Sequence, residues 1–287
     1  IQMLKTKEWL EILYGIHISI ITHPNELTVN FNIVHVFNFA TYEITNGFVE
    51  KAHQLGIPII SSCIYWDYSY SIPPLHYFMG YPSHIGKFSV LFYRFLYNNV
   101  TAFLKRPRGV SREFKKYTQK FIDYSHFILP NSIEEGNLLL DFAGIKKADK
   151  IRVVYNGVEL KDTQILPPEL FFSKYKLPKD YILQVGRIEY LKNQLNLLYA
   201  LREHINIPIV FIGQISDAKY GKRLHEIAQK RGNVFFLNKV PHDEIASFYH
   251  YAALHVLLSL RESPGLVSME AAAQGCPIVI STSEYLP

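Results

Sequence analysis

The sequence predicts an α/β protein of two domains, each a parallel sheet covered by helices on both faces. Three observations predict it. Strand-length runs rich in Val and Ile alternate with helix-length amphipathic segments along the whole chain, as a parallel sheet buried on both faces requires. The 287 residues are 48% hydrophobic and 19% charged, enough to bury two ordinary cores. The alternation breaks after Asn156-Gly157-Val158 and again at Pro167-Pro168, which sets a boundary near residue 165 and gives domains of residues 1–165 and 166–287.

The elements follow from the pattern in chain order. In the first half, helices are expected over 5–14, 44–55 and 133–142, and strands over 17–22, 33–37, 57–62, 127–129 and 151–154. In the second half, strands are expected over 181–185, 208–212, 234–237, 253–258 and 277–281, with helices over 194–204, 220–231, 243–250 and 267–274. Gly, Pro, Asn or Asp bounds each helix: Gly15 and Gly56 end the first two, Gly232 and Gly275 end two later ones, and Asn193 precedes another. The first segment reads as a helix already under way and the last strand stops at Glu284-Tyr285-Leu286-Pro287, so the expectation is a chain cut at both ends.

Composition excludes several classes. No segment combines low hydrophobicity with high net charge, so no part is expected to be disordered. No apolar run reaches the roughly 18 residues of a membrane span, and the opening residues lack the pattern of a signal peptide. Cys63 and Cys276 are far apart and lie beside apolar strand-like runs, which reads as two buried free thiols in a reducing cytoplasm. A net charge of +5 and a pI of about 8.9 favour acidic partners without choosing among them. The 20 Tyr and 19 Phe supply core area and flat surfaces for stacking.

The strongest chemical signal is Arg261-Glu262-Ser263-Pro264-Gly265-Leu266-Val267-Ser268-Met269-Glu270, between an apolar strand and the Ala271-Ala272-Ala273 helix. Gly265 lets backbone approach a ligand, and a helix starting near Leu266 turns its N–H groups and positive dipole end toward an anion. Glu270, one turn in, can aim a carboxylate at vicinal hydroxyls such as those of a ribose. The same residues also fit an ordinary βα loop with solvated carboxylates. A second signal is Val185-Gly186-Arg187-Ile188-Glu189-Tyr190-Leu191-Lys192-Asn193, directly after the first strand of this half. Two cations five residues apart at a helix start oppose the helix dipole unless an anion sits between them, and a fork-shaped guanidinium with a mobile ammonium suits a departing diphosphate.

With these residues the chain resembles family 4 of the retaining glycosyltransferases, from about Tyr181 to the end and more loosely in the first half at Leu129-Pro130-Asn131-Ser132 and Val153-Val154-Tyr155-Asn156-Gly157-Val158. The resemblance implies the GT-B fold: two Rossmann-like doubly wound parallel-sheet domains facing across a cleft, the acceptor on the first and the nucleotide sugar on the second. It implies that Arg187 and Lys192 hold the donor diphosphate, that Glu262 lies beside the donor sugar and that Glu270 binds the ribose. Backbone at Gly265 and Leu266 would meet the phosphate, with Gly186, Gly213 and Val267 on the same donor surface. Val240, in Asn238-Lys239-Val240-Pro241, falls where the family packs the base. The donor would be a UDP-, GDP- or ADP-sugar and the acceptor a glycan, a lipid-linked or a small molecule, with no further cofactor.

The sequence also departs from the family. A strand and Gly-rich loop that open family members have no counterpart here, and further helices would follow Pro287. Where a His commonly follows the strand ending in Ile57-Pro58-Ile59-Ile60, this chain reads Ser61-Ser62-Cys63-Ile64-Tyr65-Trp66-Asp67. Asp67 is the candidate substitute on the acceptor side, or a turn residue. No Asp-X-Asp pair and no ligand spacing among His23, His35, His53, His76 and His84 suggest a metal, so metal-independent transfer is expected. Residues 88–120 interleave Leu91, Phe92, Phe95 and Phe103 with Lys105, Arg106, Arg108, Arg112, Lys115, Lys116 and Lys120. That stretch reads either as peripheral contact with an anionic membrane at the inner face or as core with a solvated back. No nucleic-acid module is present, and none is expected as partner. Two other readings stay open: a non-catalytic relative with a regulatory or scaffolding role, and a nucleotide-sugar epimerase on the same fold.

Overall fold

In a computed structural model of the chain, describing residues 2–65, 112–144, 149–158, 165–260, 262 and 265–281, two compact units form, residues 1–155 and 156–287. The first unit holds a parallel sheet in the order β1 (Val34–Phe37), β2 (Ile59–Ser62), β3 (Phe127–Ile128). Its helices are α1 (Gln2–Tyr14), α2 (Tyr42–Gln54), α3 (Arg112–Tyr124) and α4 (Ile133–Ala143). Alternate residues of β1 point inward, and α2 answers with Thr45, Val49 and Ala52 on one stripe. Phe39 and Phe121 meet edge to face, 4.0 Å between ring centres, and both are fully buried; each removes enough apolar surface from water to contribute about 2–3 kcal/mol. Ser132 opens α4 by accepting the Glu135 N–H, and Gly144 closes it in the left-handed region.

The expected strand over 17–22 does not form. Ile18 donates its N–H to Glu11 Oε1 (3.0 Å), and its carbonyl accepts from Lys7 Nζ (2.5 Å), so side chains of α1 take the backbone groups a sheet would have used. The run over 151–154 forms no full strand: Ile151 bridges to Ile128, and the N–H groups of Arg152 and Val154 donate to Ile128 O and Pro130 O, at 2.9 Å each.

The second unit holds five parallel strands in the order β6 (Val234–Leu237), β5 (Ile209–Ile212), β4 (Tyr181–Val185), β7 (Ala252–Leu257), β8 (Ile278–Ile280). The helices are α5 (Pro168–Tyr175), α6 (Gln194–Ala200), α7 (Ala218–Arg231), α8 (Ile245–Tyr251) and α9 (Leu266–Ala273). The chain runs outward from β4 through β5 to β6, then returns to the other side of β4. Strand order therefore reverses between β4 and β7, and ligands collect beyond the carboxyl ends of strands at such a switch point.

Two differences from the sequence expectation lie here. The Pro167-Pro168 break starts α5, because proline in the first turn lacks only an N–H that has no helical acceptor there. Phe171 anchors that helix against Phe248 and Tyr251, at ring separations of 4.9 Å each. Helix α6 stops at Ala200, short of 204, and the buried Arg231 guanidinium takes up the carbonyls of Leu201, His204 and Ile207 at 2.7–3.1 Å. Cys63 and Cys276 are buried free thiols. No helix among the described residues is long and apolar enough to cross a membrane.

Candidate functional site

The carboxyl ends of β4 and β7 are neighbours, since Leu183 pairs with His255 two residues before each strand finishes. The loops leaving them are joined directly: Leu260 donates its N–H to Leu191 O (2.8 Å). These are the two segments carrying Arg187 with Lys192 and Glu262 with Glu270. Lys192 reaches from the first loop to the second and places Nζ 2.7 and 2.6 Å from the two carboxylate oxygens of Glu262. Both side chains are largely enclosed, 15% and 12% exposed. Arg187 is 66% exposed and lies 3.0 Å from Glu189 Oε1, so its guanidinium faces solvent beside a carboxylate. Each cation therefore has an acidic partner.

The glycines follow from close backbone approach. Gly186 donates to Ile212 O (2.9 Å), and the aliphatic stem of Lys192 lies over its Cα. Gly213 has φ +153°, and a Cβ there would stand 2.0 Å from Gly186 O, so the ends of β4 and β5 approach as only glycine permits. Gly265 heads α9 at φ +68°, with Glu262 Cγ 3.1 Å from where a Cβ would be. By helix geometry the N–H groups of Leu266 and Val267 lack an intrahelical acceptor. The Leu266 side chain is exposed and that of Val267 partly so.

Glu270 lies on the fifth position of α9 and accepts from the Tyr249 hydroxyl (3.2 Å). Burial raises its pKa above the ordinary carboxylate value, against the Tyr249 hydrogen bond and the charge of His242, which lower it. Tyr249, on α8, is a partner that sequence reasoning missed, and nothing in its local pattern sets it apart from core. Beneath it His255 is fully buried, its ring edge-on to Tyr249 at 5.6 Å, and burial pushes its pKa down to about 4. The ring stays neutral.

Val240 packs against the core of the second unit behind the exposed Asn238 and Lys239. Asp67 lies outside the described residues, as do Arg261, Ser263, Pro264 and residues 88–111 of the basic stretch. Over α3, Tyr117, Phe121 and Ile122 are buried in the first unit's core, Lys115 and Lys116 are exposed, and Lys120 pairs with Glu50. Its apolar stripe is thus core. Among the described residues no three His, Cys, Asp or Glu side chains gather as a metal site would require.

A five-stranded parallel sheet with two joined loops at its switch point defines a doubly wound α/β domain. Residues 168–287 match the model of the family "Glycosyl transferases group 1". The chain is 30% identical over 178 residues to D-inositol 3-phosphate glycosyltransferase of Streptomyces bingchenggensis, covering 56% of this chain and 38% of that one. It is 31% identical over 143 residues to an uncharacterized glycosyltransferase of Methanocaldococcus jannaschii, covering 47% of this chain and 37% of the relative. The chain thus spans well under two thirds of these relatives. Among solved structures, Anabaena Alr3699/HepE in complex with UDP and glucose superposes with a TM-score of 0.63 at 16% identity, over 89% of this chain and 60% of that one. A UDP-forming trehalose-phosphate synthase from Burkholderia xenovorans gives 0.61 at 13% identity, over 89% and 59%. These likenesses bear out the GT-B fold class.

Proposed function

We propose that the protein is a retaining, metal-independent glycosyltransferase of family 4, a hexosyltransferase whose second unit holds a nucleotide-diphosphate sugar and whose first unit meets the acceptor. The observation that carries this reading is the enclosed Lys192–Glu262 pair bridging the two switch-point loops, with the exposed Arg187 on the same loop as Lys192. A diphosphate arriving there can take the Lys192 ammonium from Glu262 and draw Arg187 away from Glu189. Both cations would then neutralise charge as it develops on the leaving group. Gly186, Gly213 and Val240 fit the same donor surface, the Gly265-Leu266-Val267 backbone can accept a phosphate, and Glu270 can accept from ribose hydroxyls. The UDP and glucose of the HepE complex support this class of donor.

In this reading the bond between the anomeric carbon and the diphosphate oxygen breaks, and the acceptor oxygen bonds to the same face of that carbon. The acceptor proton passes to the leaving diphosphate. Asp67 serves the acceptor side, and two buried free thiols suit a reducing, cytoplasmic setting. Calorimetric titration of the intact protein with UDP-, GDP- and ADP-sugars tests the reading. One donor class is expected to bind, with affinity weakened in Arg187→Ala; binding of none of them overturns the proposal.

A further inference from the structure

Strand β4 reads Tyr-Ile-Leu-Gln-Val, and the amide in it is out of place. It is the central strand of five, Gln184 is 1% exposed, and a buried carboxamide is costly unless bonded. Gln184 Nε2 donates to the backbone carbonyl of Lys192, eight residues on, at 2.7 Å. A second buried amide mirrors it. Gln194, also 1% exposed, opens α6 and donates Nε2 to the carbonyl of Arg187 at 2.8 Å. The carbonyls so fastened are those of the two cationic residues of this loop. Their side chains are left to act, Arg187 in solvent and Lys192 on Glu262.

We infer that Gln184 and Gln194 are positioning residues that fix the backbone of residues 186–193 and so set where Arg187 and Lys192 present their charge to a nucleoside diphosphate. The inference rests on reading this loop as the diphosphate site. Neutral amides suit this role because they hold carbonyls without cancelling the cations' charge, and they do not titrate. An apolar side chain of similar length would leave the carbonyl unpaired and let the loop settle elsewhere. Further contacts restrain the loop, where Ile188 bridges to Ile215, Leu191 O accepts from Leu260 and the Lys192 N–H donates to Glu189 O (3.1 Å), while the two amides hold the carbonyls of the residues that bear charge.

The test uses the full chain with Gln184→Met and, separately, Gln194→Met. The second change sits at a helix start, outside the strand packing, and carries the test should the first variant not fold. Binding of UDP, GDP and ADP, and of the nucleoside of whichever binds, is measured by ligand-observed NMR beside a thermal melt. The diphosphate Kd is expected to rise about tenfold while nucleoside binding is unchanged. An equal loss for nucleoside and diphosphate, or no loss for either, overturns the positioning role. If the unaltered protein binds none of the three diphosphates, the donor reading itself falls and takes this inference with it.

Discussion

Replacing Lys192 by Met removes the charge but keeps most of the stem that lies over Gly186. At the observed 2.6–2.7 Å the Lys192–Glu262 attraction is roughly 6 kcal/mol with an effective dielectric constant of about 20, most of it offset by desolvation of two side chains that are 15% and 12% exposed. The stability consequence comes from the charge left behind. Glu262 would stay nearly enclosed without its partner, a loss of about 2–3 kcal/mol after allowing for residual solvent, or a fall in Tm of about 5–10 °C. Turnover should fall further, by about 100- to 1000-fold, because a cation aimed at a leaving diphosphate acts most strongly in the transition state. The double variant Lys192→Met with Glu262→Gln separates the effects, since removing the stranded carboxylate should restore most of the Tm and none of the turnover. Differential scanning calorimetry and a coupled assay for released nucleoside diphosphate read the two quantities. A single variant with near-normal turnover refutes the role of Lys192, and an unrecovered Tm in the double variant refutes the stranded-charge account.

Burial holds the Glu270 pKa high, so the native state keeps this proton to higher pH than the unfolded chain and stability declines as pH rises through that window. Glu270→Gln should therefore raise the neutral-pH Tm while weakening donor binding about tenfold or more, and a variant that loses both would contradict this. His35 and His255 are held neutral by burial, each with a pKa of about 4. Their contribution, roughly 2–3 kcal/mol each, is present above about pH 6.5 and lost as pH falls toward 4; chemical denaturation showing flat stability across that range would exclude it. Gly213→Ala should lower Tm and yield of folded protein, because its Cβ would fall 2.0 Å from Gly186 O; normal folding would show that the two strand ends can separate. Donor hydrolysis should survive EDTA, and loss restored by manganese would contradict metal independence.

Much of the fold is legible in the sequence because its signals are local and repeated. The Val- and Ile-rich runs of the second half all form strands, β4 and β6 with the expected bounds. The misses have physical reasons. The 17–22 run has strand-like composition, but sheet formation needs a neighbouring strand, and Glu11 and Lys7 bond the Ile18 backbone instead. Pro167-Pro168 reads as punctuation, although proline both ends and begins helices. At the site, sequence singles out Arg187, Lys192, Glu262 and Glu270 but cannot pair them: that Lys192 holds Glu262 depends on β4 lying beside β7, a fact of topology. Nor does the spacing of the two cations show that, with no ligand present, Arg187 lies beside Glu189 and Lys192 on Glu262. Gln184 is visible in principle as the one amide of an apolar strand, yet its partner Lys192 can be named only once the loop's path is known.

We propose that the switch-point loops of residues 156–287 hold the diphosphate of a sugar nucleotide and promote its departure. The most direct measurement is release of nucleoside diphosphate from UDP-glucose, GDP-mannose and ADP-glucose by the intact protein, compared with Arg187→Ala and Lys192→Met variants shown to be folded. Slow release from one donor, reduced by at least about 100-fold in both variants, is the predicted result. Release that is equal in all three proteins, or absent with every donor in the unaltered protein, would contradict it.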